Sequence, residues 1–68
     1  MKFDIETLRD HRLARLLARL SNHCTVVLSS GIEIYFNRSS HSAVFDNSEP
    51  LSNDENREYL QAMELIDV

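Results

Sequence analysis

Cys24 follows His23 directly, and His41 and Asp46 stand further along the chain. A thiol, an imidazole and a carboxylate are the parts of a nucleophilic site, in which a base draws the proton from sulfur, and also of a zinc site. The spacing supports neither chemistry. Adjacent side chains on a strand point to opposite faces, so His23 and Cys24 do not share a substrate. No C-x-x-C or H-x-x-x-H pair occurs. Cys24 instead alternates into the buried face with Val26 and Leu28, where a free cysteine behaves as a small hydrophobe. Gly31 is the only glycine, too few for a glycine-rich phosphate loop. Paired carboxylates need a shaped cleft, which a 68-residue chain has little volume to enclose. The chain therefore reads as a binding protein and not an enzyme, with no metal and no cofactor.

The charged residues are more informative. Arg12, Arg15 and Arg19 fall within about 60° of one another on a helix, at the flank of its apolar side. Arginine meets phosphate or carboxylate through two donors, so such a row can follow a nucleic-acid backbone or hold an acidic protein. The same row also serves as a solvated flank whose aliphatic stems cover leucines. Asp54, Glu55 and Glu58 lie close together at the start of the last helix, where the helix dipole favours carboxylates. These six residues form the candidate partner-binding set. Arg9 projects into the middle of the apolar arc, so it must pass the core edge or reach a carboxylate. Ser39, Ser40 and Ser42 beside Arg38 suit either an anion or a turn.

The charge is divided along the chain. Residues 1–22 carry five basic and three acidic side chains, and the remainder two basic and eight acidic. The net charge of -4 argues against nucleic acid, whose binding domains are usually basic. A nucleic-acid-binding regulator using the arginine row is the alternative reading.

These groups must be carried by few elements. Residues 4–21 read as one amphipathic helix, with Asp4 as N-cap, Glu6 in the first turn and Asn22 as a left-handed end. Ile5, Leu8, Leu13, Leu16, Leu17 and Leu20 share a side, over an arc wider than one contact surface needs. The helix is therefore expected to meet two neighbours, one of them the second helix or another subunit. Residues 24–36 change to a period of two around Ser29-Ser30-Gly31. A three-residue loop with Gly31 left-handed pairs Leu28 with Ile32, Val26 with Ile34 and Cys24 with Phe36 on one face, whereas a two-residue loop mixes the faces. Residues 41–46 form a third strand, pairing Phe36 with Ala43 and Ile34 with Phe45. Residues 47–50 connect it to a second helix opened by the S-x-x-E box of Ser52 and Glu55. On that helix Tyr59, Leu60, Met63 and Ile66 share a face. The fold class is α+β in the order α-β-β-β-α: a three-stranded antiparallel meander with two helices packed on one face.

Length allows one domain, residues 1–68, and 43% hydrophobic with 26% charged residues is a globular composition. A core this small needs added support, and a single cysteine supplies no internal disulfide, so a homodimer is expected. No apolar run approaches a membrane span and no secretory signal is visible, which places the chain in the cytoplasm with no membrane partner. The function expected is a small acidic protein-binding module that occupies a surface on a larger protein partner. Inhibitors, adaptors and accessory proteins, those of mobile elements among them, share this size and charge.

Overall fold

The computed structural model describes residues 1–45 and 49–66. The chain runs β1 (Lys2–Asp4), α1 (Ile5–Asp10), α2 (Arg12–Leu20), β2 (His23–Val27), β3 (Glu33–Asn37), β4 (Ser42–Phe45) and α3 (Asn53–Ile66). The fold class is α+β as expected, with the antiparallel β2-β3-β4 meander extended by β1, which runs parallel to β2 in the sheet order β1-β2-β3-β4. Three residues are too short to show a period of two, so this strand left no sequence pattern. Its parallel pairing needs a crossover of a dozen or more residues, and α1 and α2 provide it.

The hairpin follows the pattern of its residues. Cys24 pairs with Phe36 and Val26 with Ile34, and the Leu28 N–H donates to the Ile32 carbonyl at 2.9 Å. Gly31 takes φ 95°, as the three-residue loop requires. The next register holds too, with Phe36 opposite Ala43 and Ile34 opposite Phe45. His41, expected in this strand, lies in the turn before it at φ 52°. Asp46 and residues 47 and 48 of the connector fall outside the described residues. The capping box opening α3 forms in both directions: Glu55 N–H to Ser52 Oγ, 3.2 Å, and Ser52 N–H to Glu55 Oε1, 2.8 Å.

The first helix departs from expectation. It is not continuous over residues 4–21 but broken at His11, whose backbone is extended at φ -119° and ψ 109°. Asp4 stands at the N-cap position without a side-chain capping bond. The end is also different: Ser21 is extended at φ -86°, and Asn22 does not adopt the left-handed conformation. The break turns α2 about its own axis relative to α1. Ile5 and Leu8 enter the core as expected, but on α2 it is Ala14 and Ala18 that are buried, at 8% and 2% exposure. In an unbroken helix these alanines would sit roughly 130° from Ile5 and Leu8.

One face of the sheet carries the core. Cys24, Val26, Leu28, Ile34 and Phe36 are buried against Ile5, Leu8 and the alanines of α2, with Ala62 and Ile66 from α3. Tyr59 of α3 stacks on Phe36 at a ring separation of 6.0 Å. Leu60, expected on this face, is exposed instead, and Ala62 takes the central position. Tyr35 and Val44 are exposed on the opposite, open face, and Lys2 reaches Glu33 at 2.9 Å. The radius of gyration, 10.9 Å, equals the roughly 11 Å of a well-packed chain of this length.

Nothing lies within 4 Å of a β-carbon added at Gly31, so its requirement is conformational only. Gly31→Ala is expected to lower stability by about 1 kcal/mol, with Gly31→Asn, which tolerates positive φ, lowering it less. Urea unfolding of the two variants checks the order.

Candidate protein-contact surface

The arginines of α2 separate once their bonds are followed. An α-helix ends with carbonyls that have no partner inside it. The last bond of α1 runs from the His11 N–H to the Thr7 carbonyl at 2.9 Å, which leaves the carbonyls of Leu8 and Arg9 open. Arg15 takes both, with Nη1 at 3.0 Å from the Leu8 oxygen and 2.7 Å from that of Arg9. Arg19 does the same at the far end of α3, where its Nε donates to the Leu65 carbonyl at 2.9 Å. Arg38 joins it there, donating to the Ile66 carbonyl at 2.8 Å, while the hydroxyls of Ser40 and Ser42 bond each other. Cations at helix C-termini also oppose the dipole favourably. Arg12 alone of the row makes no hydrogen bond or ion pair among the described residues.

The acidic group separates likewise. Glu58 accepts from the Ser29 N–H at 3.1 Å and from the Ser29 hydroxyl, and lies 3.6 Å from Arg9. It thereby joins the hairpin turn, α1 and α3. Arg9 also donates to Gln61 at 2.8 Å and to Glu6 at 3.1 Å, so its reach out of the apolar arc ends inside the chain. Glu55 is engaged in the capping box, and the bonds it accepts from the Ser52 N–H and the Ser30 hydroxyl hold its carboxyl below the usual glutamate range. Asp54 stays at the surface, 3.7 Å from Arg57. Of the six candidate residues, Arg12 and Asp54 keep their charges directed outward. Arg15, Arg19, Glu55 and Glu58 join elements to one another.

Cys24 is buried, and burial pushes its thiol up, away from the reactive thiolate. His23 is exposed, and Asp46 lies outside the described residues. No group of three His, Cys, Asp or Glu side chains is placed to hold a metal ion among the described residues, and no helix among them is long and apolar enough to cross a membrane.

What remains outward on α2 is apolar. Leu13, Leu16, Leu17 and Leu20 are exposed at 74%, 41%, 50% and 83%. Their spacing of three, one and three residues aligns them as one stripe, with Arg12 at its N-terminal flank. At its other end the Ser21 hydroxyl contacts Met1 Sδ at 3.0 Å, which brings exposed Met1 beside the end of the helix. The leucines were legible in the sequence as one face of a helix, but which neighbour covers them was not. The paired alanines at 14 and 18 were the sign that α2 turns its small residues inward.

Two consequences can be measured. Arg15→Ala removes two charge-assisted bonds and is expected to cost about 2 kcal/mol, whereas Arg12→Ala stays within about 0.5 kcal/mol of wild type. Thermal and urea unfolding of both variants checks the contrast. Glu55 has a lowered carboxyl value in the folded state, so its contribution is fully present above the ordinary value of 4.5 and is lost as pH falls through the lower folded one. Glu55→Gln, which removes the titrating carboxyl, is accordingly expected to flatten the fall in melting temperature on acidification below about pH 4.5, read from melting curves across pH.

Compared with protein-family models, curated proteins and solved structures, the chain matches none of them.

Proposed function

We propose that the chain is a small acidic protein-binding module of the cytoplasm, acting by contact and not by catalysis, and that α2 is its docking element. The leucine stripe supports this reading. Monomeric soluble proteins scatter exposed apolar side chains singly, and a contiguous apolar row marks an interaction surface. Together the four leucines leave about as much surface in water as two and a half fully exposed leucines. Burying one such side chain stabilises by roughly 1.5–3 kcal/mol. The stripe thus offers a large favourable term to a partner that covers it. An amphipathic helix laid into an apolar groove uses anchors at this i, i+3, i+4, i+7 spacing.

The charged residues act at the rim. Arg12 suits an acidic group bordering the partner's groove, and Asp54 with its neighbours gives the rest of the molecule a repulsive field toward acidic surfaces. The role is that of an inhibitor, adaptor or accessory protein occupying a surface on a larger protein.

Leu16→Glu with Leu17→Glu places charge on two side chains that are about half exposed and outside the buried core, so the fold is expected to persist. Retention of a larger partner from cell extract by the immobilised chain should be lost in that double variant and kept in Asp54→Lys. Equal retention by the leucine variant and wild type, with mass spectrometry identifying the same partner, would sink the reading.

A further inference from the structure

We infer that in the free protein the α2 stripe is covered by a second copy of this chain, the two α2 helices packing antiparallel about a two-fold axis between Leu16 and Leu17. The inference rests on the reading of α2 as a protein-contact surface and names its occupant in the absence of a larger partner.

Three observations favour this occupant. A closed dimer needs a self-complementary patch, in which each residue meets its counterpart across the axis. The stripe meets that condition: a two-fold between Leu16 and Leu17 sets Leu13 against the other copy's Leu20, and Leu16 against its Leu17. The second observation is electrostatic. Arg12 occupies the first turn of α2, which carries no acidic residue, and a cation there opposes its own helix dipole. Antiparallel pairing brings Arg12 toward the C-terminal turn of the other copy's α2, whose dipole favours a cation and whose own Arg19 is drawn onto the Leu65 carbonyl. Arg15 and Arg19 lie on the same flank, but both are drawn onto backbone carbonyls of α1 and α3. Both guanidinium groups keep their charge but are engaged within their own copy. The third observation is area. Two stripes face to face cover about the surface of five fully exposed leucines, at the low end for specific interfaces, where micromolar dissociation constants are usual.

Self-association and capture of a larger partner then compete for one surface, so free chain is held as a pair until a better groove displaces the second copy.

Sedimentation of the purified chain from about 1 µM to about 300 µM should show a monomer passing to a dimer and no further. The double variant Leu16→Glu, Leu17→Glu should remain a monomer throughout, with unchanged circular dichroism. Orientation is read separately in a Cys24→Ala background by mixing Leu13→Cys chains with Leu20→Cys chains under mild oxidation. Antiparallel pairing predicts several-fold more mixed disulfide than either homodisulfide. A wild-type monomer at the highest concentration, a dimer that survives the double substitution, or predominant homodisulfides would each overturn the inference. A monomeric wild type that still loses its larger partner on the leucine substitutions would leave the docking role of α2 standing.

Discussion

Arg15 clasps the carbonyls of Leu8 and Arg9 across the break at His11, and the arrangement of the N-terminal half follows from that clasp. Breaking a helix exposes backbone acceptors that water or a side chain must satisfy. A guanidinium four residues past the break satisfies two of them with one nitrogen, which makes the bend compatible with a partly buried position. Once α2 is turned, its small residues enter the core: Ala14 and Ala18 are buried, as is Ala62 of α3, and α2 packs against α1 and α3. The leucines have no place beneath the helix and are left outside. One local decision thus sets both how the core is filled and which surface stays apolar.

The same chemistry recurs at the end of α3. That helix has no basic residue in its last turn, so its terminal carbonyls receive Arg19 from α2 and Arg38 from the β3-β4 turn. At its start, Ser52 and Glu55 satisfy each other's backbone groups, and Glu58 ties the first turns to Ser29 and Arg9. Part of the charge asymmetry between the two ends of the chain is therefore spent internally. Basic side chains from the first half close over the helix of the acidic second half. For a domain with a single cysteine and, among the described residues, a core of eleven buried side chains, three of them alanine, such long-range caps supply cohesion that apolar burial alone would leave short.

This division of labour bears on how the molecule meets others. Charged residues that join helices to one another are poorly disposed to leave those positions for a partner, because a vacated helix end exposes unsatisfied carbonyls. Apolar side chains already in water lose nothing of the fold when they are covered. The open sheet face, with Tyr35 and Val44, offers further apolar area, but its strands also carry the Lys2–Glu33 ion pair. The α2 stripe is free of charge along its length and is the more favourable surface to dehydrate.

Residue types and spacing by themselves determined the hairpin register, the place of Gly31, the pairing of β3 with β4, the capping box and the α+β class. Each depends on neighbours a few residues apart: a one-residue slip turns every strand side chain over, and a serine three residues before a glutamate closes a box without help from the rest of the chain. Tertiary structure alone decided the rest. Nothing local in residues 4–21, which contain no glycine or proline, marks His11 as a break; it is stabilised by a clasp from Arg15 and by alanines buried in a core drawn from distant elements. β1 is too short to carry a pattern and exists because β2 offers it a parallel edge. Arginines 15 and 19 read identically to Arg12 in sequence, and only the carbonyls brought within reach by folding distinguish a helix cap from a surface charge. Helical periodicity identifies which leucines share a face, but it cannot say whether the chain has enough matter to cover them. Here the helices already fill the core with Ile5, Leu8, Ile66 and three alanines, so the leucines of α2 remain in water.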